Sequence, residues 1–210
     1  MDKGAEVPHS PEQLRSFIAI ELPEEAKEGL ARLRKELERD EHRFVKWVDP
    51  KGIHLTLKFL GNIPSERVTE ITEAVQKAAQ GISPFLLEIS GLGAFPSLKQ
   101  VRVFWVGITG EVDKLSKLQQ DIDSALTVLG FAKEERPFTP HLTLARIREG
   151  TSPPQRRSFG ELVGSTAFED KYPVQVRAVR LMRSQLTPAG AVYTCLSVVG
   201  LSHQEGLGEA

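Results

Sequence analysis

Apolar and polar positions along this chain predict strands that alternate with amphipathic helices. The apolar runs FIAIEL at 17–22 and FWVGIT at 104–109 are typical of strands. After each run, apolar residues recur at helical spacing, which predicts helices over 23–39 and 111–129. Gly130 then provides a C-terminal stop for the second of these helices.

The tetrapeptide HLTL occurs twice, beginning at His54 and again at His141, 87 positions later. An Arg-x-Phe motif at 15–17 is repeated at the same offset at 102–104. Each half of the chain therefore follows one order: strand, helix, short link and HLTL strand. This internal repeat predicts two related halves.

The rest of the chain fits the same plan. A third helix is predicted over 65–80, and the apolar runs at 84–89 and 173–179 predict two further strands. The runs at 179–186 and 191–198 predict a terminal hairpin. The stretch 149–165, rich in Pro, Ser and Gly, is interpreted as a loop, with a short helix inside it as the alternative. Residues 1–14 and 202–210 lack an apolar pattern and are interpreted as loose termini.

These elements predict an α+β fold in which residues 15–201 form a single bilobal domain. Each pseudo-symmetric lobe is expected to be an antiparallel sheet with flanking helices. The two lobes are expected to enclose a central cleft that carries both histidine motifs.

Strand geometry divides each HLTL motif between two faces. Side chains alternate with period two, so the histidine and threonine share one face and both leucines lie on the other. Phe59 falls with the leucines of the first copy. Because the leucines belong to a core, packing of two related halves brings two imidazoles and two hydroxyls to one cavity.

Two imidazoles in one cavity suit phosphoester hydrolysis without a metal ion. Imidazole titrates near pH 6.5, so one ring can accept a proton from water while the other gives a proton to the leaving oxygen. Each such step contributes about 10²- to 10⁴-fold in rate. Threonine hydroxyls can donate to phosphate oxygens as charge develops there. The pattern alone does not assign the two proton-transfer roles.

Composition narrows the range of partners. With 27 basic and 28 acidic residues, the chain has no net excess of positive charge for a broad contact with long nucleic acid, but recognition of a nucleotide or an RNA end is compatible with it. One cysteine, Cys195, precludes an internal disulfide and a multi-cysteine zinc site. Without a signal peptide or a long apolar run, we expect a cytoplasmic monomer that does not contact membranes.

Four stretches resemble the two-histidine phosphoesterase superfamily: RSFIAIELP (15–23), HLTLKFLG (54–61), RVFWVG (102–107) and PFTPHLTLAR (137–146). They are most similar to its RNA 2′,3′-cyclic phosphodiesterase branch, also called 2′-5′ RNA ligase-like. The resemblance implies opening of a 2′,3′-cyclic phosphate to a 2′-phosphomonoester, without a metal ion or cofactor, on RNA ends or nucleotides. It implies that His54 is the proton donor, that His141 is the proton acceptor, and that Thr56 and Thr143 hold the phosphate.

Three further residues are candidate substrate contacts. Arg146 follows Thr143 by three positions, which places it on the leucine face unless the strand bends, yet the resemblance suggests an arginine near the phosphate. Phe17 and Trp105 are candidates for stacking on a base, with core packing as the alternative.

Two other functions use the same cavity: a reversible 2′-5′ RNA ligase and a non-catalytic module that binds nucleotides or RNA ends. A metal enzyme is disfavoured, because two histidines without carboxylates at ligand spacing make a poor metal site.

Overall fold

The computed structural model describes residues 12–188 and 190–202. Four short 3₁₀ turns accompany thirteen helices and strands within these residues. The helices and strands are, in order, β1 (Gln13–Glu21), α1 (Glu24–Leu37), β2 (Val45–Trp47), β3 (His54–Pro64), α2 (Val68–Ala79), β4 (Phe85–Phe95), β5 (Val103–Gly110), α3 (Val112–Val128), β6 (His141–Ile147), α4 (Pro153–Ser165), β7 (Tyr172–Val176), β8 (Ala178–Thr187) and β9 (Gly190–Gly200).

The strands form two antiparallel sheets. The first sheet has the order β3-β1-β8-β9 and the second has the order β2-β6-β5-β4-β7. Both sheets combine strands from distant parts of the chain, since β8 and β9 join the first sheet while β2 and β4 join the second. The predicted α+β class with two antiparallel sheets is confirmed. Most of the predicted loose termini lie outside the described residues, but β1 begins at Gln13, before the predicted boundary at residue 15.

The three predicted helices are present, and their buried faces match the helical spacing of apolar residues. Helix α3 buries Leu115, Leu118, Ile122 and Leu126. It ends as predicted at Gly130, whose φ of +87° is the left-handed conformation that glycine favours. The N–H of Phe131 donates to the carbonyl of Leu126, which closes a Schellman cap.

Most of the stretch 149–165 is helix α4, so its interpretation as a loop is wrong, and the helix given as an alternative is present. Ser152 and Gln155 form a capping box, and Pro153 occupies the first turn, where its missing N–H has no cost. Phe159 and Val163, four residues apart, face the core. The Pro and Ser residues that suggested a loop are the start signals of this helix.

The register of the repeat differs by one residue from the prediction. Ile20 pairs with Leu55 in the first sheet, and Val106 pairs with Leu142 in the second, so β1 and β5 correspond at an offset of 86. The Arg-x-Phe motifs, at an offset of 87, are therefore not equivalent in structure. Because a one-residue shift reverses strand faces, Phe104 lies in the core while Phe17 lies on the same face as His54.

His42 is buried beside α4 and makes stability depend on pH. It is 6% exposed and edge-on to Phe44 and Phe159, and neither ring nitrogen bonds to a group that the structure describes. Burial lowers the pKa of His42, although Glu41 partly opposes the shift. The unfolded chain therefore takes up a proton near pH 6.5 while the folded protein resists it until a lower pH.

We expect the free energy of unfolding to fall as the pH drops below about 6.5 and to be insensitive to this histidine above that pH. Urea titrations at pH 7.5, 6.5 and 5.5 measure the effect. His42→Phe, which fits between the two aromatic rings, is expected to reduce the slope. An unchanged slope in this variant would assign the acid sensitivity to other groups.

Candidate active site

Each HLTL strand contains a β-bulge at its second leucine. In the first sheet Ala19 pairs with Thr56 and Ile18 with Lys58, so Leu57 is an extra residue. In the second sheet the pairs Trp105–Thr143 and Phe104–Ala145 make Leu144 the extra residue. Up to the bulge, the predicted alternation holds: the histidine and threonine of each motif are half-buried and the leucines are buried.

Beyond the bulge, the alternation of side chains between the two faces of the strand is shifted by one residue. Phe59 therefore shares the face of His54 and is 68% exposed, so its predicted place on the leucine face is wrong. Arg146 likewise lies on the same exposed face of β6 as His141. The bulge supplies the bend in the strand that a contact between Arg146 and the phosphate requires. Arg146 forms no ion pair within the part of the chain that the structure describes.

His54 is supported by aromatic rings on two sides. The ring of Phe17 stacks on the imidazole with centroids 4.4 Å apart, and Tyr193 meets it edge-on at 5.0 Å. Phe17 is only 3% exposed, which leaves no open ring face for a base. This position argues against the predicted stacking of Phe17 on substrate and makes it a support for His54.

His141 has a similar aromatic support in the second sheet. Phe95 is edge-on to the imidazole at 5.0 Å, and Trp105 is 6.4 Å away. A Cβ atom on Gly93 would lie 2.2 Å from the indole, so this glycine makes room for Trp105. Trp105 is half-buried on the face of the second motif, and a substrate contact there stays a prediction.

Backbone carbonyls fix both imidazoles in the same tautomer. The Nδ1 atom of His54 lies 2.8 Å from the carbonyl of Gly52, and that of His141 lies 2.7 Å from the carbonyl of Thr139. Because a carbonyl only accepts, each Nδ1 carries the proton and each Nε2 is left for chemistry. Burial lowers the pKa of His54, and the hydrogen bond to Gly52 opposes this shift in part.

Tyr193 is a site residue that the sequence analysis did not identify. It lies on β9, and a Cβ atom on Gly52 would come within 2.9 Å of its ring, so Tyr193 packs directly on the loop that holds His54. Burial raises the pKa of the Tyr193 phenol, while the positive charges of Arg146 and Arg15 act in the opposite direction. Tyr193 therefore lies between the first motif and the arginine of the second.

The two motif strands are neighbours, although they belong to different sheets. Strand β3 is the edge of the first sheet, while β2 pairs only with residues 145–147 of β6, which leaves the first part of β6 without a partner strand on that side. Strands β3 and β6 contact each other. The hydroxyls of Thr56 and Thr143 bond to no other described group, so both are available to a ligand.

Among residues 12–188 and 190–202, no group of three or more His, Cys, Asp or Glu side chains is placed to hold a metal ion. Within the same residues, no helix is long and apolar enough to cross a membrane.

Comparison with known sequences identifies the family. The LigT-like phosphoesterase profile matches the chain twice, at residues 20–105 and 106–193. The chain belongs to the LigT-like phosphoesterase family. The resemblance to the two-histidine phosphoesterases is thereby confirmed, and the two matches reproduce the internal repeat. The boundary between the matches falls inside β5, so the family repeat does not coincide with the two sheets.

Individual relatives of this LigT-like phosphoesterase are similar to it over most of their length. The RNA 2′,3′-cyclic phosphodiesterase of Methanothermobacter thermautotrophicus is 33% identical over 90% of this chain and 100% of its own length. The enzyme of the same name from Aquifex aeolicus is 30% identical over 86% of this chain and 94% of its own.

Solved structures share the fold. Escherichia coli LigT in complex with 3′-AMP covers 91% of this chain and 100% of its own, with a TM-score of 0.73 and 25% identity. A protein of Thermus thermophilus gives the same coverages, with a TM-score of 0.72 and 28% identity.

Proposed function

We propose that this protein is an RNA 2′,3′-cyclic phosphodiesterase that hydrolyses cyclic phosphate ends to 2′-phosphomonoesters. One observation carries the proposal: two histidines on neighbouring strands, each with Nδ1 held by a carbonyl and Nε2 left for proton transfer. The names of the relatives, at 33% and 30% identity, support the same activity. The 3′-AMP bound to E. coli LigT supports a nucleotide-sized substrate.

In the proposed reaction, water attacks the phosphorus atom while Nε2 of His141 takes its proton. The bond from phosphorus to the ribose 3′-oxygen breaks, and Nε2–H of His54 gives its proton to that oxygen. The phosphate stays on the 2′-oxygen. The Thr56 and Thr143 hydroxyls and the Arg146 guanidinium stabilise the charge on the non-bridging phosphate oxygens.

Protonation of His54 needs help from the substrate. Burial lowers the pKa of His54, so the free enzyme favours the neutral ring. A phosphate anion close to the imidazole favours the charged form and opposes that shift. Substrate binding therefore favours the protonated form of His54, which is the proton donor in the proposed reaction.

Hydrolysis of an oligonucleotide with a 2′,3′-cyclic phosphate end, in excess chelator, tests the proposal. We expect full activity in chelator and a 2′-phosphate as the product, because proton transfer and charge stabilisation are both assigned to side chains. Loss of turnover with chelator, or a 3′-phosphate product, would contradict the mechanism.

A second strand with a 5′-hydroxyl end, added to the same reaction, tests the ligase alternative. A joined strand would favour the 2′-5′ RNA ligase. Tight binding of the cyclic-ended strand without turnover would favour the non-catalytic module.

A further inference from the structure

We propose that a cavity beside His54 holds the phosphate group on the 5′-oxygen of the terminal nucleoside, so that an oligonucleotide with a cyclic end is preferred over a free cyclic nucleotide. In an RNA strand this group is the internucleotide phosphodiester next to the cyclic end. The inference rests on the proposed function, because it names the class of substrate that the same site takes.

The cavity lies on the face of the first sheet that carries His54. Residues directly opposite each other on paired strands share a face, and Glu21 pairs with His54 in this way. Ala19 pairs with Thr56 on one side and with Arg180 on the other. Because Ala19 has no side chain beyond Cβ, the row from Thr56 to Arg180 is lowest at its centre. The resulting cavity has a volume of about 120 Å³.

The charges around this cavity favour an anion. Three positive side chains and one negative side chain line it: Lys27, Lys51, Arg180 and Glu21. One carboxylate oxygen of Glu21 lies 2.8 Å from Arg180, and the other lies 3.9 Å from Lys27. Lys51 forms no ion pair within the part of the chain that the structure describes. Even with Glu24, which pairs with Lys27 from outside the cavity, positive charge is in excess and attracts an anion.

The distance from the cavity to the first motif suits one nucleotide. Ala19 lies on β1, one strand away from β3, and Arg180 lies on β8, two strands away. Since neighbouring strands are about 4.8 Å apart, the cavity extends about 5–10 Å from the motif strand. This span is within reach of the next phosphate along an RNA strand.

The position beside His54 indicates which phosphate the cavity holds. In the proposed reaction His54 protonates the leaving 3′-oxygen, so the ribose lies on the His54 side and the attacking water on the His141 side. His54 itself forms part of the cavity wall. The phosphate that lies beyond the ribose on this side is the one on its 5′-oxygen. Because contacts to phosphate carry no sequence information, we expect the preference to be independent of the base.

Three substrates separate this phosphate contact from other effects of a longer strand. They are adenosine 2′,3′-cyclic phosphate, an adenylyl-adenosine dinucleotide with a 2′,3′-cyclic phosphate end, and the same dinucleotide with an uncharged methylphosphonate linkage. For the wild-type protein we expect KM for the dinucleotide to be about 10-fold lower than KM for the nucleotide, with similar kcat. The methylphosphonate dinucleotide is expected to have the KM of the nucleotide. Added salt is expected to raise the ratio of the dinucleotide KM to the nucleotide KM, with a logarithmic slope of about 0.7 for one phosphate contact.

Two variants test the residues of the cavity. Lys51→Met is expected to raise KM for the dinucleotide about 2- to 5-fold, because it removes one exposed positive charge. Lys51→Met combined with Arg180→Met is expected to bring KM for the dinucleotide up to that for the nucleotide. Lys117→Met is the matched control, because it removes an equal charge from α3, outside the cavity, and is expected to keep the wild-type KM for all three substrates.

The outcomes separate the inference from the proposed function. Equal wild-type KM values for the nucleotide and the dinucleotide would overturn the inference. A methylphosphonate dinucleotide with the low KM of the phosphodiester would assign the preference to the second nucleoside and overturn it as well. So would a double variant that keeps the low KM for the dinucleotide. If the wild-type protein hydrolyses none of the three compounds, the proposed function itself fails.

Discussion

Replacing His141 with asparagine is expected to lower kcat for cyclic phosphate hydrolysis about 10²- to 10⁴-fold. Replacing His54 with asparagine is expected to lower kcat by a factor of the same order. In the proposed mechanism each Nε2 transfers a proton during the exchange at phosphorus. Asparagine keeps a polar side chain of moderate size, so the half-buried positions remain compatible with folding. Single-turnover rates at saturating substrate measure the chemical step.

The residual activity of each variant separates the two roles. In His141→Asn only His54 remains, so a rate that falls as the pH rises identifies His54 as the acid. Because these rates are measured at saturating substrate, the fall reports His54 in the complex, where the bound phosphate opposes the lowering of its pKa by burial. In His54→Asn a rate that rises with pH identifies His141 as the base. The opposite pair of slopes would exchange the two assignments.

Histidines that act as a unit lose activity non-additively. The double variant is therefore expected to lose less activity than the product of the two single losses, since each ring contributes most when the other is present. His42→Phe is the control, because it changes a histidine far from both motifs and is expected to keep kcat. Wild-type rates in either single variant would exclude paired histidine catalysis.

The sequence predicted the motif faces correctly only as far as the bulges. Period-two alternation placed His54, Thr56, His141 and Thr143 on one face, because regular strand geometry holds over those residues. An extra residue in a strand leaves no mark in the hydrophobic pattern, since leucine is suitable on either side of it. Phe59 was therefore assigned to the opposite face from the one that it occupies. For Arg146 the alternation gave the opposite face only for a strand without a bend, and the bulge supplies that bend.

Two other features depend on contacts that are distant in sequence. The one-residue shift between the Arg-x-Phe motifs is set by pairing with β3 and β6, and residue identity alone favoured the wrong register. Tyr193 reaches His54 from a strand at the other end of the chain. No periodicity in either segment indicates that contact, so it required the structure.

The bulge that exposes Phe59 also turns the preceding residue, Lys58, into the core. Lys58 and Asp123 are 3% and 8% exposed in their side chains and form an ion pair. The Lys58 ammonium also donates to the carbonyl of Ala132 at 2.7 Å, and the N–H of Glu134 donates to the Asp123 carboxylate at 3.3 Å. One buried pair thus joins the first motif strand, α3 and the segment that leads to the second motif.

Removing one member of this pair is expected to lower the free energy of unfolding far more than removing both members. Lys58→Met leaves the Asp123 carboxylate buried without its partner, so the free energy of unfolding should fall by about 3–5 kcal/mol. Combining Lys58→Met with Asp123→Leu removes both charges and should recover a large part of that loss. Urea unfolding at pH 7 measures all three proteins.

The exposed pair between Lys117 and Asp121, at 2.9 Å, provides the comparison, because Lys117→Met should change stability by less than about 1 kcal/mol. A Lys58→Met variant no less stable than Lys117→Met would show that the buried pair does not hold the two motif segments together. A large loss recovered in the double variant would instead mean that the unpaired charge, and not lost packing, is what destabilises the single variant.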